Sequence, residues 1–193
     1  MLKIGITGGI GSGKSVVANI LQQMGFPVYD SDSRAKALTQ TNADIRQQLT
    51  AMFGDNLFKD NILDKKALSQ LIFSSDKNLK AVNAIIHPVV VGDFATWTTR
   101  QNAAAVFLES AILMESGLYQ KMDKIILVTA PEKLRIDRVM KRSQLSEKEI
   151  QQRMQMQKTE EALAEKADFV ILNDEKHLLI PQVHSILQKL LII

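Results

Sequence analysis

The chain has 193 residues, 46% of them hydrophobic, which suits one α/β core with an insertion or two. It has no cysteine, so disulfides and thiolate chemistry are excluded, and its net charge of +3 suits a protein that handles polyphosphates while being too small to argue for nucleic acid. Met1 runs directly into a first strand and no apolar run is long enough to span a membrane, so the expectation is a cytoplasmic protein with no signal peptide and no membrane partner.

Leu2 to Thr7 is a short, mostly apolar run that reads as a buried strand. Gly8-Gly9-Ile10-Gly11-Ser12-Gly13-Lys14-Ser15 follows and satisfies G-x-x-x-x-G-K-[ST], with Gly8, Gly13, Lys14 and Ser15 at the fixed positions. Val17, Ile20, Leu21 and Met24 then fall on one face of a helix, and Gly25 is its expected stop. Glycines let successive N–H groups point at phosphate oxygens, with the positive end of the helix behind them. Gly9, Gly11, Ser12, Gly13, Lys14, Ser15 and Val16 are therefore the candidate ATP-binding residues. Lys14 can reach the β and γ oxygens, and the Ser15 hydroxyl can ligate Mg²⁺. A bare glycine-rich turn is the bland alternative; the strand before the motif and the helix after it argue against that. A dinucleotide-binding loop is rejected by spacing, because G-x-G-x-x-G would need a glycine where Lys14, Ile6 or Ile10 stands.

Phe26-Pro27-Val28-Tyr29 reads as a second strand ending in Asp30-Ser31-Asp32, with a helix behind it that turns Ala35 and Leu38 inward. In parallel α/β sheets the ligand crevice lies beyond the carboxyl ends of the strands, which places Asp30 and Asp32 on the edge of the phosphate loop. Asp30 or Ser31 can equally cap the helix. Asp32 faces the crevice, where a phosphoryl acceptor needs a base. Thr41 to Gly54 reads as a capped helix with Ile45, Leu49, Met52 and Phe53 inward. Asp60-Asn61-Ile62-Leu63-Asp64 reads as a turn and cap, followed by a helix with Leu68, Leu71 and Ile72 inward. Another helix starts near Ser75 and is interrupted or kinked at Pro88. This all-helical block is too long for an ordinary crossover and reads as an inserted subdomain over the acceptor. His87 is either structural or close to the acceptor at that kink.

Ala103 to Leu108 is the expected third core strand, ending in Glu109, an acid that can hold Mg²⁺ through water or orient the attacking hydroxyl. A surface Glu at a strand end is the bland reading. Ile112 to Glu115 form a helical turn, and Lys124 to Thr129 the fourth strand. Pro131 is expected at the first position of the next helix, along which Arg135, Arg138 and Arg142 share a face. Ser143-Gln144-Leu145 is a break, and Ser146-Glu147-Lys148-Glu149 a capping box opening a helix with Arg153 and Gln157. Such an Arg-rich pair of helices reads as a lid over triphosphate, since the planar guanidinium binds phosphate bidentately; a solvated basic face is the alternative. Ala167 to Asn173 is the fifth strand, and a final helix packs Val183, Ile186, Leu187 and Leu190 into the core.

Together these motifs resemble one family, dephospho-CoA kinase, over nearly the whole chain. Ile6 to Ser15 is similar to its opening, Asp30-Ser31-Asp32 to its D-x-D, and His87-Pro88 to its H-P pair. Asp60 to Asp64 resembles its D-G-x-L-D, with Asn61 for glycine, and Glu109 to Glu115 its acidic loop, with Ala111 for proline. Arg138 and Arg142 match the lid R-x-x-x-R, Arg153 and Gln157 a following R-x-x-x-Q, and Ala167 to Asn173 the A-D-x-x-I-x-N.

The resemblance implies an α/β P-loop NTPase fold: three layers, α/β/α, with a five-stranded parallel sheet, a helical acceptor-binding insertion and a helical lid. The expected boundaries are 1–30, 103–131 and 167–193 for the nucleotide-binding core, 31–102 for the acceptor subdomain and 132–166 for the lid. The implied reaction is ATP-dependent phosphorylation of the 3′-hydroxyl of dephospho-CoA, the last step to coenzyme A. In it Asp32, Lys14, Arg138 and Arg142 are catalytic, Arg138 and Asn173 join the ATP site, and Asp32, His87, Glu109 and Glu115 bind the acceptor. ATP and Mg²⁺ are the expected cofactors, and a monomer or weak homo-oligomer the expected state. A nucleotide or small-metabolite kinase of the same fold is the first alternative. A nucleotide-driven switch is the remote one: there is no D-x-x-G, and Gln120-Lys121-Met122-Asp123 precedes a strand instead of ending one.

Overall fold

The computed structural model describes residues 1–59, 62–73, 75–143 and 145–191. Along them the chain runs β1 (Leu2–Thr7), α1 (Lys14–Gln23), β2 (Val28–Asp30), α2 (Ser31–Thr41), α3 (Ala43–Phe53), β3 (Phe58–Lys59), β4 (Ile62–Leu63), α4 (Lys65–Phe73) and α5 (Asp76–Thr99). It continues with β5 (Ala105–Glu109), β6 (Lys124–Thr129), α6 (Glu132–Arg142), α7 (Glu147–Gln155), α8 (Glu160–Ala164), β7 (Phe169–Leu172) and α9 (Leu179–Lys189). Contacts divide it into two units, Met1–Asp30 with Gln101–Ile193, and Ser31–Arg100.

The first unit is built on a parallel five-stranded sheet in the order β2-β5-β1-β6-β7. A parallel sheet is covered on both faces, which is why its strands read as apolar runs without alternation. Ile4, Ile6, Phe107, Ile126, Val128 and Ile171 pack with Val17 and Leu21 of α1 and with Val183 and Leu187 of α9. Each such fully buried aliphatic side chain contributes roughly 1.5–3 kcal/mol. The register sets the functional edge: Glu109 is flanked by Ile6 on one side and Asp30 on the other.

Helix α1 ends as its glycine predicts. Gly25 takes a left-handed φ of 88°, its N–H bonds Gln22 O, and the Phe26 N–H reaches back to Leu21 O, the paired bonds of a Schellman motif. Met24, read from its spacing as inward, lies beyond the packed face and is 36% exposed. Pro131 is the N-cap of α6, not its first helical residue. The capping box at Ser146 and Glu149 is formed. Helix α8, five residues long, was not visible in the sequence pattern.

The Ser31–Arg100 unit has its own core, in which Ile45, Leu49, Leu57, Leu63, Leu68, Val82 and Ile85 are buried. The expectation of an all-helical block is corrected here. Phe58 pairs with Leu63 and Lys59 with Ile62 in a small antiparallel hairpin. Asp60 and Asn61, read from the sequence as part of a turn, lie outside the described residues, as does Gln144. Leu63 of the hairpin and Leu57, in the short 3-10 turn before it, are both buried in the unit's core. Asp64 caps α4 by accepting the N–H groups of Lys66 (3.1 Å) and Ala67 (3.0 Å), and these bonds with Lys59 hold its carboxyl below the usual range. Met52, expected inward, is 51% exposed.

Helix α5 is capped by the Ser75 side chain and runs through Pro88 as a single helix of 24 residues. Proline removes one helical hydrogen bond, to the carbonyl four residues earlier; both Pro88 and Ala84 are exposed, so water can take that carbonyl. A bidentate pair between the Arg34 guanidinium and the Asp93 carboxylate, at 2.9 and 2.7 Å, ties α2 to α5. Among the described residues no helix is long and apolar enough to cross a membrane.

Candidate active site

The loop between β1 and α1 is shaped by what surrounds it. Gly11 and Gly13 have φ of 80° and 94°, where L side chains are strained. A Cβ on Gly13 would strike the Asn173 amide, and one on Gly11 the backbone carbonyl of Arg135. Within the loop the Ser12 N–H bonds Gly9 O (3.1 Å) and the Val16 N–H bonds Gly13 O (3.0 Å). Lys14, only 8% exposed, folds back and donates its Nζ to Gly8 O (2.8 Å) and Gly9 O (3.3 Å). The ammonium is thereby desolvated and held against the loop, where its field acts at short range on an anion.

Beside it, the Ser15 hydroxyl donates to Glu109 Oε1 at 2.9 Å. A hydroxyl and a carboxylate thus meet at the carboxyl edge of β5, with Asp30 next to Glu109 in register. Among the described residues no three His, Cys, Asp or Glu side chains converge as a metal cage. A hydroxyl with one adjacent carboxylate nonetheless fits Mg²⁺, which keeps several waters and takes phosphate oxygens rather than a full protein cage.

On the far side of the loop, Asn173 Nδ2 donates to Ser12 O (2.8 Å), and its Oδ1 accepts from Arg138 Nη2 (3.3 Å). Arg138 also pairs with Glu175 Oε1 through Nε (3.3 Å) and Nη2 (3.2 Å). Glu175 is a non-glycine at φ 65°, in the Asp174-Glu175 stretch where the family resemblance has a small residue or glycine after the final Asn. The adjacent Asp174 accepts backbone N–H groups from His177 and Lys176, which hold its carboxyl down at about 2. Three buried polar atoms have no partner among the described residues: Thr7 Oγ1, Ser12 Oγ and Arg138 Nη1. Two of them belong to candidate nucleotide-binding residues, and a buried polar group without a partner is costly unless a ligand or water completes it.

The arginines part company. Arg135 is 11% exposed at its side chain: Nε donates to Ile10 O (3.0 Å), and the guanidinium lies against Gly9 and pairs with Glu160, which also accepts the Thr129 hydroxyl. The solvated-face alternative fails for this residue. Arg142, in the last turn of α6, and Arg153, on α7, are exposed. Gln157 accepts the Ile10 N–H (2.8 Å) and donates to Ala111 O (3.3 Å), and the neighbouring Lys158 N–H bonds Glu115 (3.0 Å). Glu115 therefore braces the segment after α7. The sequence flagged Gln157 only through its R-x-x-x-Q spacing. A cleft of about 770 Å³ opens here beside Gly9 and Arg135, lined also by Glu132, Gln151, Lys158 and Glu160.

In the other unit, Asp32 is half-buried in the first turn of α2. His87 is half-buried in α5, and burial pushes its imidazole pKa down.

A parallel sheet whose central strand feeds a phosphate loop closed by a buried lysine and opening a helix defines a P-loop kinase-type fold. At 18% identity, a shikimate kinase from Acinetobacter baumannii has the same fold, with a TM-score of 0.56 over 99% of this chain and 93% of its own. Residues 2–178 match the dephospho-CoA kinase family, and the chain belongs to it. A dephospho-CoA kinase of Porphyromonas gingivalis is 48% identical over 97% of this chain and 94% of its own length. One from Bacteroides fragilis is 43% identical over 94% and 89%. Among solved structures, TT1252 from Thermus thermophilus aligns with a TM-score of 0.84 at 35% identity, covering 98% of this chain and 96% of its own. Dephospho-CoA kinase from Campylobacter jejuni gives 0.70 at 25% identity, covering 97% and 96%.

Proposed function

We propose that this protein transfers the γ-phosphoryl group of ATP to the 3′-hydroxyl of dephospho-CoA, giving coenzyme A and ADP, the last step of coenzyme A biosynthesis. The observation that carries this reading is the phosphate loop with buried Lys14 and the Ser15–Glu109 pair, in a chain that matches the family over residues 2–178.

The loop amides and Lys14 hold the β and γ phosphates of ATP and neutralise charge as the bond to the γ-phosphorus loosens. The acceptor oxygen attacks the γ-phosphorus, the bond from that phosphorus to the bridging oxygen of ADP breaks, and the hydroxyl proton passes to the Asp32 carboxylate. Arg138 and Arg142 stabilise the transferring group. For Arg138 this means exchanging Glu175 for a phosphate oxygen, a step its unpartnered Nη1 favours. Asn173 fixes the loop from the adenine side through Ser12 O. Ser15 would hold Mg²⁺, with Glu109 reaching it through water, and the ion would supply charge neutralisation on the phosphates.

Residues 1–30, 103–131 and 167–193 act as the nucleotide core, 132–166 as the lid and 31–102 as the acceptor subdomain, where His87 serves with Asp32. Glu109 and Glu115 complete the acceptor site. The same reading makes the protein a cytoplasmic enzyme acting on small molecules, as a monomer or weak homo-oligomer.

The test is ADP release with dephospho-CoA against a panel of nucleosides, shikimate and simple sugars, with the product mass measured. Dephospho-CoA should be preferred and gain one phosphate. A nucleoside or sugar turning over faster would reassign the acceptor while leaving the phosphate loop in place.

A further inference from the structure

Ile10, the third residue of the phosphate loop, is gripped by the segment carrying α6 to α8 through every group it has. Its N–H donates to Gln157 Oε1 at 2.8 Å, and its carbonyl accepts from Arg135 Nε at 3.0 Å. Its side chain packs into the cluster of Ile136, Val139 and Ile150, from α6 and α7. The Gln157 amide has one possible orientation, because the Ile10 N–H can only donate and Ala111 O, at 3.3 Å, can only accept. The Ile10 N–H belongs to the peptide joining it to Gly9 and the Ile10 carbonyl to the peptide joining it to Gly11, so the two bonds pin the two successive peptides on either side of the Ile10 Cα. Neither can rotate without breaking its bond, and each lost bond strands a polar group in a part-buried setting. The Ile10 amide is thereby withdrawn from the phosphate and serves as scaffold.

We infer that Gln157 is a positioning residue: by fixing the Gly9–Ile10 peptide it holds the phosphate loop in its binding shape and couples nucleotide binding to the order of α7. The inference rests on the loop being the nucleotide site, and on no particular acceptor. Coupling of this kind is reciprocal, so nucleotide bound at the loop must also steady the segment that holds Ile10. A purely structural Gln157 would predict something else: a loss of stability shared by the whole unit, with nucleotide affinity intact.

Gln157→Met keeps the length of the side chain and removes both hydrogen bonds. On the full chain, ATP and ADP affinities measured by calorimetry should fall together, by roughly 5- to 30-fold, the scale of one lost part-buried hydrogen bond. The KM for ATP should rise by a similar factor while the KM for the acceptor holds. In hydrogen exchange, ADP should protect the α7 amides in the natural protein and not in the variant. Arg135→Met frees the next peptide, between Ile10 and Gly11, on the other side of the same residue and should show the same pattern, which keeps the test open if the Gln157 variant fails to fold. Nucleotide affinity within twofold of the natural protein in a folded variant overturns the inference. So does unchanged ADP protection of α7, or failure of both variants to melt cooperatively, either of which makes the contact structural only. A natural protein that binds neither ATP nor ADP would instead sink the assignment of the loop.

Discussion

Between Gly8 and Ser15, polar groups hold polar groups: Lys14 on Gly8 O, Asn173 on Ser12 O, Arg135 on the Ile10 carbonyl and Gln157 on the Ile10 N–H. In the Ser31–Arg100 unit the work is done by aliphatic side chains such as Ile45, Leu49 and Val82, buried against one another. Apolar packing is non-directional and forgives small displacements; hydrogen bonds to a loop backbone set positions to a few tenths of an ångström. Damage to the first region should therefore register in chemistry and damage to the second in stability.

Asp32 is the exception that would break this contrast, since it sits in the second unit and is assigned a chemical role. Asp32 lies in the first turn of α2, inside the helix and past its N-cap position; Asp32→Asn keeps its size and polarity there but cannot take a proton. kcat with dephospho-CoA should fall by roughly 10²–10⁴, with ATP affinity and melting temperature held. An unchanged kcat would reduce Asp32 to an acid in the first turn of α2, favourable to the helix dipole, and leave the contrast whole. Lys14→Ala probes the loop directly. The loss of a buried cationic donor should reduce kcat by roughly 10²–10³ and leave the circular dichroism spectrum as it was. Activity near that of the natural protein would remove Lys14 from the phosphate.

Leu49→Ala is the converse experiment. Leu49 is 0% exposed, and truncation should cost about 2–5 kcal/mol in urea unfolding. The ATP affinity of the protein that remains folded should not change; a large shift in it would mean that the second unit also shapes the loop. The smallest effect concerns His87. Its folded pKa lies below 6.5 because burial disfavours the charged ring, so as pH falls the unfolded chain takes up the proton first. The contribution is complete above 6.5 and shrinks as pH drops through 6.5 toward the folded value. His87→Gln should flatten the urea midpoint between pH 7.5 and 5; an unaltered slope would assign the dependence elsewhere.

The β1–loop–α1 stretch could be read from sequence because its signals are local: an apolar run, glycines at fixed spacing, a helical stripe and a glycine stop within Leu2–Gly25. What could not be read is long-range or very short. Asn173 reaches Ser12 across 161 residues and Gln157 reaches Ile10 across 147, and no spacing rule encodes such bonds. Strands β3 and β4 have two residues each, too few to show an alternation. Met24 and Met52 sit at positions the helical apolar period assigns inward, yet they are 36% and 51% exposed, while Phe53 beside Met52 packs on the core: a period locates a face to within a residue or so and does not say how wide the buried stripe is. Arg135 and Arg142 share a stripe on one helix, yet only the first is covered, because Glu160 and the loop lie over the helix start and nothing comparable is described at its end.

The strand order also governs how the chain folds during synthesis. β1 lies at the centre of the sheet, and its hydrogen-bonding neighbours are β5 and β6: Leu2 pairs with Ala105 and Ile4 with Lys124. The first strand to leave the ribosome therefore waits for more than half the chain before it has an edge to join. The Ser31–Arg100 unit, whose core closes within one contiguous stretch, has all its partners earlier. Nascent chains should acquire protease resistance in that unit first, while Leu2 to Thr7 remains an apolar segment open to chaperones until β5 emerges.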